Sequence, residues 1–261
     1  MTSPQPTLVF LDIRIGDPSA QAAALDAYSR ATAFIAAKGA ALGVDGNVKP
    51  EALEDWQREM VLEAYQADPV WRAKGPISVT PPPSLPGGRL HIRLHTTTAP
   101  KTTLNFSTLC TGSKGLSKST KKPLHFLNTP IHRLIPSHIA QGGDITRHDG
   151  SGGDSIYSGT FNDEKDGLKA KFTQPFDGLP DPVKTGGVFA MANSGKNSNT
   201  SQWFVTLPGA DTKRIEKMNG KYVVFGHVVQ GSEVLQVLNA VRVEGETPKE
   251  RIEVVDCGVL E

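Results

Sequence analysis

The chain has 261 residues, enough for one large domain or two small ones, with a formal net charge of +1 and 38% apolar residues. So balanced a charge excludes a non-specific nucleic-acid binder, which would carry a basic excess, and no apolar run approaches the roughly 18 residues of a membrane span. Cys110 and Cys257 are too few for a disulfide framework, and MTSPQPTLVFLDIRIGD lacks the basic start and apolar stretch of a signal peptide, so a cytosolic, reducing compartment is expected.

Residues 8–15, LVFLDIRI, alternate and are β-rich, which predicts a strand. From Asp17 to Leu42 the chain turns Ala-rich, with Leu25, Tyr28 and Ile35 near helical spacing and Gly43 as a C-cap. Pro50 suits the first position of a second helix reaching about Ala67, with Leu53, Trp56, Met60 and Ala64 on one stripe. Pro69, Pro76, the run Pro81-Pro82-Pro83 and Pro86-Gly87-Gly88 then read as a stiff linker. Strand character resumes at Arg89, in RLHIRLH. Ala99 to Leu109 predicts a helix starting at Pro100, with Leu104, Phe106 and Leu109 inward. The lysine-rich loop GSKGLSKSTKKPLHF that follows reads as a solvated surface.

The most informative stretch is IHRLIPSHIAQGGDITRHDGSGG, residues 131–153. Pro136 interrupts any helix and Gly142-Gly143 ends what precedes them, so the pattern is a short strand carrying Arg133, a turn at Pro136-Ser137, and a second strand. Ile139 and Gln141 point one way from that second strand. One cation, one apolar wall and one amide therefore converge, without a general base or nucleophile, which suits a reaction that breaks no bond. His125, His132, His138 and His148 lie nearby but without HxxxH or CxxC spacing, so no metal site is expected. GSGGDS lacks the Lys-Ser/Thr ending of a phosphate loop, and no Gly-x-Ser-x-Gly elbow is present. Downstream, Asn162 to Thr185 reads as a Pro- and Gly-containing loop, Gly231 to Val241 as a helix burying Val234, Leu235 and Leu238, and Arg251 to Val259 as a last strand.

HRLIP with QGGD, FAMANSGKNSNTSQWFV at 189–205, GKYVVFGHV at 220–228 and DCGVL at 256–260 together resemble a cyclophilin, a peptidyl-prolyl cis-trans isomerase. The resemblance covers residues 7–15 and 87–261 in chain order. It implies a mainly β fold: a closed eight-stranded antiparallel barrel capped by two helices. In cyclophilins the first two strands form a hairpin, so residues 16–86 read as a helical insertion with a Pro-rich linker between them. Loop-closure entropy grows only logarithmically with length, so the barrel can tolerate it. The insertion is either a helical hairpin without a role of its own or a docking surface for a protein partner, since Trp56 and Trp71 must be buried somewhere; it carries no repeat signature.

The resemblance implies acceleration of X–Pro rotation in peptides and proteins, without a cofactor or metal, and a monomer is expected. It assigns the catalytic arginine to Arg133, its orienting partner to Gln141, and the floor of a proline pocket to Phe204, with Ile139 and Met218 as walls. Asn193 would hold the substrate backbone; Ala192, Ser194 and Gln202 would line the neighbouring groove, edged by Gly150 and Thr146. The pocket departs from the family pattern. His138 replaces a phenylalanine, Ile139 a methionine, Lys217 the tryptophan that donates to cyclosporin, Met218 a leucine, and Tyr222 a histidine. Activity is therefore expected to be retained but reduced, and cyclosporin binding to be weak. The alternative is a proline-peptide binding scaffold with little or no catalysis. His138 raises two readings: charging below about pH 6.5 would weaken proline binding, or, the favoured one, it is a tolerated substitution with no switch. The loop SKGLSKSTKKPLH resembles that of divergent-loop cyclophilins, whose cysteines at the places of Cys110 and Cys257 are thought to be redox-sensitive and whose tethering acid would match Asp154.

Overall fold

The computed structural model describes residues 7–176 and 178–260. Strand β1 (Leu8–Ile15) leads into helices α1 (Pro18–Lys38), α2 (Asp55–Ala67) and α3 (Pro69–Arg72) before strand β2 (Gly87–Leu94) begins. The chain divides into two compact units, one formed by the residues through Gly16 together with those from Pro86 onward, the other by Asp17–Leu85.

In the first unit the alternation of β1 buries Val9, Leu11, Ile13 and Ile15, and β2 answers with Leu90, Ile92 and Leu94. The two strands are antiparallel neighbours, Leu11 opposite Leu90 and Val9 opposite Ile92, although the whole second unit separates them in sequence. Gly87 makes the return possible. Its φ is +140°, and a Cβ there would meet the Ile13 carbonyl oxygen at 2.0 Å, so no larger residue fits.

Helix α4 (Pro100–Thr111) precedes the hairpin β3 (Ile131–Ile135) and β4 (Ile139–Gly142). Next come the short helices α5 (Lys165–Lys169) and α6 (Pro182–Thr185), then strands β5 (Val188–Met191) and β6 (Trp203–Thr206). Helix α7 (Thr212–Glu216), strand β7 (Val224–Gln230), helix α8 (Ser232–Ala240), the small ribbon β8 (Val243–Glu244) with β9 (Thr247–Pro248), and strand β10 (Ile252–Val259) complete the chain. The eight-stranded sheet runs β10-β1-β2-β7-β5-β6-β4-β3, each pair antiparallel. Its edges meet ahead of β3, where the Asn128 N–H donates to the Val254 carbonyl at 2.7 Å and the Val254 N–H to that of Thr129 at 3.0 Å. That contact closes the sheet into a barrel. Phe106 of α4 sits among Phe126, Phe189, Trp203 and Phe225, with the Phe106 and Phe225 rings 4.9 Å apart. Val234, Leu235 and Leu238 of α8 join the same core.

Several expectations need correction. Leu104 of α4 is 37% exposed; the buried face runs through Phe106, Leu109 and Cys110. The stretch 162–185 is not all loop, because α5 and α6 lie within it, α6 starting at Pro182 with Asp181 capping the Val183 N–H at 3.0 Å.

The second unit has its own core of Phe34, Ile35, Val44, Leu53, Val61 and Tyr65. Asp17 caps α1 by accepting from the Ser19 N–H at 2.8 Å. The buried stripe of α1 is Ala27, Ala31, Phe34 and Ile35, whereas Leu25 stays 50% exposed. Pro50 starts only a single 3-10 turn, Pro50–Ala52; Leu53 and Glu54 are extended, and α2 begins at Asp55. The phase of that helix is set by Val61 and Tyr65, which leaves Trp56 60% exposed. Trp71 instead packs edge-on to Phe34 at 5.4 Å. The stretch 76–83 is no free linker: Ile77 and Val79 pack on the helical core, the Ser78 N–H bonds the Ala27 carbonyl at 3.2 Å, and Arg30 Nε donates to the Pro76 carbonyl at 2.9 Å. No helix among the described residues is long and apolar enough to cross a membrane.

Candidate active site

Register builds the site. In the β3–β4 hairpin Arg133 stands opposite Gln141, and across β4–β6 Gln141 stands opposite Phe204. Phe204 in turn faces Ala190 across β6–β5. One row across adjacent strands therefore holds a guanidinium, an amide, an aromatic ring and a small residue. Because strand side chains alternate, Ala140, Phe189 and Val205 turn into the barrel core while Ile139, Ala190 and Phe204 form a second apolar cluster with Met218 and Ile215.

That cluster surrounds a cavity of about 180 Å³ lined by Ile139, Phe204, Met218 and Tyr222, with Arg133, Gln141, Ala192 and Asn193 on its polar side. Tyr222 stands edge-on to Phe204 at 5.1 Å, and Phe172 stacks behind the same ring at 5.8 Å. The Phe172 N–H donates to Asn219 Oδ1 at 3.0 Å, which holds the backing ring in place. Met218 arrives through α7, whose start is capped by Asp211 accepting from the Arg214 N–H at 2.8 Å.

The polar side is a hydrogen-bonded chain. Arg133 Nη1 donates to Gln141 Oε1 at 3.2 Å, Gln141 Nε2 to Gln202 Oε1 at 2.9 Å, and Gln202 Nε2 to the Gly150 and Gly152 carbonyls at 2.8 and 2.7 Å. The loop bearing those glycines is wrapped around Asp144, whose carboxylate accepts from the N–H groups of Thr146, Arg147, Gly150 and Gly152, each at 3.0 Å. Burial opposes the charge on Asp144, yet the N–H donors outweigh it and hold its pKa at about 2. On the far side Arg133 Nε is 2.6 Å from Glu246 Oε2, and the Leu134 N–H donates to the Glu246 carbonyl at 2.7 Å. The guanidinium is thus gripped from two sides.

The candidate residues do not all meet in the slot. Gly150, Gln202 and Thr146 stand in the adjoining loop network, and Ser194 is in the exposed turn after Asn193, its N–H donating to Ser198 Oγ at 2.9 Å. Lys217 is exposed at the end of α7 and does not line the cavity. His138 lines it and is only 8% exposed. Burial first, and then the charges of Arg214 and Arg133, push its pKa down to about 4. A ring held neutral near pH 6.5 supports the favoured reading, a substitution without a switch, over the pH-switch alternative. Sequence reasoning passed over Glu246, Arg214, Ile135 and Phe172, of which the first three bond to or line the site directly. Arg214 sits one turn before Met218 on a predicted pocket segment, a usable signal; Glu246, on a short ribbon far along the chain, offers none.

Residues 84–259 match the family described as cyclophilin type peptidyl-prolyl cis-trans isomerase/CLD. The chain belongs to the cyclophilin family. Over 176 residues this cyclophilin is 42% identical to peptidyl-prolyl cis-trans isomerase 9 of Caenorhabditis briggsae, a match covering 67% of the chain but 50% of that relative. The chain thus spans about half the length of the curated relative it matches. In this cyclophilin Asp154 accepts from the hydroxyls of Ser117, Ser119 (2.7 Å) and Thr120 (3.2 Å), which ties the lysine-rich loop down. Both cysteines are free and buried. Burial raises the Cys110 thiol well above its ordinary value and pushes that of Cys257 to about 12, so neither is a ready thiolate at neutral pH.

Proposed function

We propose that this chain accelerates cis–trans rotation of X–Pro amides, with the proline ring in the slot of Ile139, Phe204, Met218 and Tyr222 and Arg133 as the catalytic group. The observation that carries the reading is the row in which Arg133 and Gln141 stand beside that slot. Rotation about the prolyl amide must cross a barrier of about 20 kcal/mol because it breaks resonance, and the twisted state has a less polar carbonyl and a pyramidal, more basic nitrogen. A dry apolar slot favours the first change; a fixed guanidinium donating to the nitrogen favours the second. Gln141 and Glu246 limit the orientations of Arg133, so little order is lost when the twisted amide forms. Asn193 lines the rim, its side chain tied to the Lys221 carbonyl at 3.1 Å, and would hold the flanking peptide backbone.

His138 in place of a phenylalanine makes the wall more polar, and exposed Lys217 offers no indole donor, which supports reduced activity and weak cyclosporin binding. The test is exchange between cis and trans signals of a proline peptide by NMR. Wild-type protein should accelerate exchange, and Arg133→Ala should reduce the acceleration about 100-fold while peptide binding persists. Binding without exchange in the wild type would make the chain a proline-peptide module instead.

A further inference from the structure

Among the described residues, Arg214 is the one cation lining the slot with no carboxylate in salt-bridge contact. Arg133, the other lining cation, holds Glu246 at 2.6 Å. Among the described residues no carboxylate lies within 4.0 Å of the Arg214 guanidinium. Asp211, which caps α7, is occupied with the backbone N–H of Arg214 itself. Yet the Arg214 side chain lines the same cavity as Ile139, Phe204 and Met218. Exposed Lys213 and Lys217 flank it along α7 and its C-cap, against the exposed acids Glu216 and the capping Asp211. His138, the titratable group facing it, stays neutral at physiological pH. The positive field reaches into the slot: Arg214 helps to lower the pKa of both His138 and Glu246.

We propose that Arg214 makes the slot selective for proline peptides carrying an acidic side chain immediately before or after the proline. The inference rests on the isomerase reading for where the proline sits. One extended residue spans only about 3.5 Å, so the side chain adjoining a seated proline falls within reach of a guanidinium that lines the same cavity. A carboxylate there can accept a charge-assisted, forked pair of hydrogen bonds from the exposed Arg214, an attraction that salt screens. A lysine at the same place would be repelled. Selectivity of this kind comes from an unpaired cation, so it does not require any change in the catalytic row.

The experiment uses the full chain and peptides that differ only in having Glu, Gln or Lys next to the proline, before it in one set and after it in another. In one of the sets kcat/KM should rank Glu over Gln by about fivefold, with Lys below Gln, and the spread should shrink at high salt. Arg214→Gln should bring the Glu-to-Gln ratio close to one, and Arg214→Glu should turn the preference toward Lys. Equal rates for Glu and Gln in both sets with wild-type protein, or an unchanged ratio in Arg214→Gln, overturn the proposal while leaving the isomerase reading intact. If Lys217→Gln, and not Arg214→Gln, abolishes the ratio, the assignment to Arg214 falls. If no peptide is isomerised, the isomerase reading fails, and the same ratios measured in dissociation constants decide the matter of selectivity.

Discussion

In β4, β5 and β6 the residues Ala140, Phe189 and Val205 pack into the barrel, while their immediate neighbours Ile139, Ala190 and Phe204 face the slot. The same strands thus supply two apolar clusters of different kinds. Inside, Phe106, Phe126, Trp203 and Phe225 fill the space with tilted and edge-on rings. Outside, Ala190 is too small to fill its share, Phe172 backs the floor, and a void of about 180 Å³ stays open beside a cation. Composition does not separate the two clusters; the polar row on the outer face does.

The sharpest way to break the inner region is Phe106→Ala. Removing a buried ring that touches so many others should cost about 3–5 kcal/mol in denaturant unfolding. The outer region should behave oppositely: Arg133→Ala, with its side chain 42% exposed, should change stability by less than about 0.5 kcal/mol despite its large effect on exchange. Between these lies Asp144, which is buried and supports the slot only through its loop. Its carboxyl is depressed in the folded state, so its contribution is complete above the ordinary carboxylate pKa of about 3.9 and is lost as pH falls through about 2. Asp144→Asn should therefore be about 2 kcal/mol less stable at neutral pH, with the difference from wild type closing across that acid range in urea melts at stepped pH. A smaller effect is expected at Glu246→Gln, which keeps the shape but weakens the hold on Arg133: kcat/KM should drop about threefold with an unchanged melting temperature. Smallest of all, His138 should leave the rate flat from about pH 5.5 to about 8, because the ring is already neutral there. A step near pH 6.5 that disappears in His138→Phe would contradict that.

Much of this arrangement was legible in the chain because β1 alternates strictly and Pro136 and Gly142-Gly143 bound the short strands of the hairpin. LVFLDIRI, HRLIP and SHIAQGG announce both the strands and the direction of Arg133, Ile139 and Gln141. Helix faces were less legible. Leu25, Trp56 and Leu104 attract attention as large apolar residues, but the buried stripe of α1 relies on Ala27 and Ala31, whose small size carries little hydrophobic signal. Pro50 fits the first turn of a 3-10 turn as well as that of an α-helix, so it could not fix where α2 begins. Glu246 was out of reach for another reason: a salt bridge to a residue 113 positions away leaves no local pattern.

The pairing of β1 with β10, Val9 beside Val259 and Ile15 beside Ile252, has an effect on how the molecule can be made. Leu8–Ile15 is synthesised long before Ile252–Val259, so one hydrogen-bonding edge of β1 must wait, bare, until β10 has been made. Zippering along that edge must await β10, and until then the nascent chain is exposed to edge-to-edge association there.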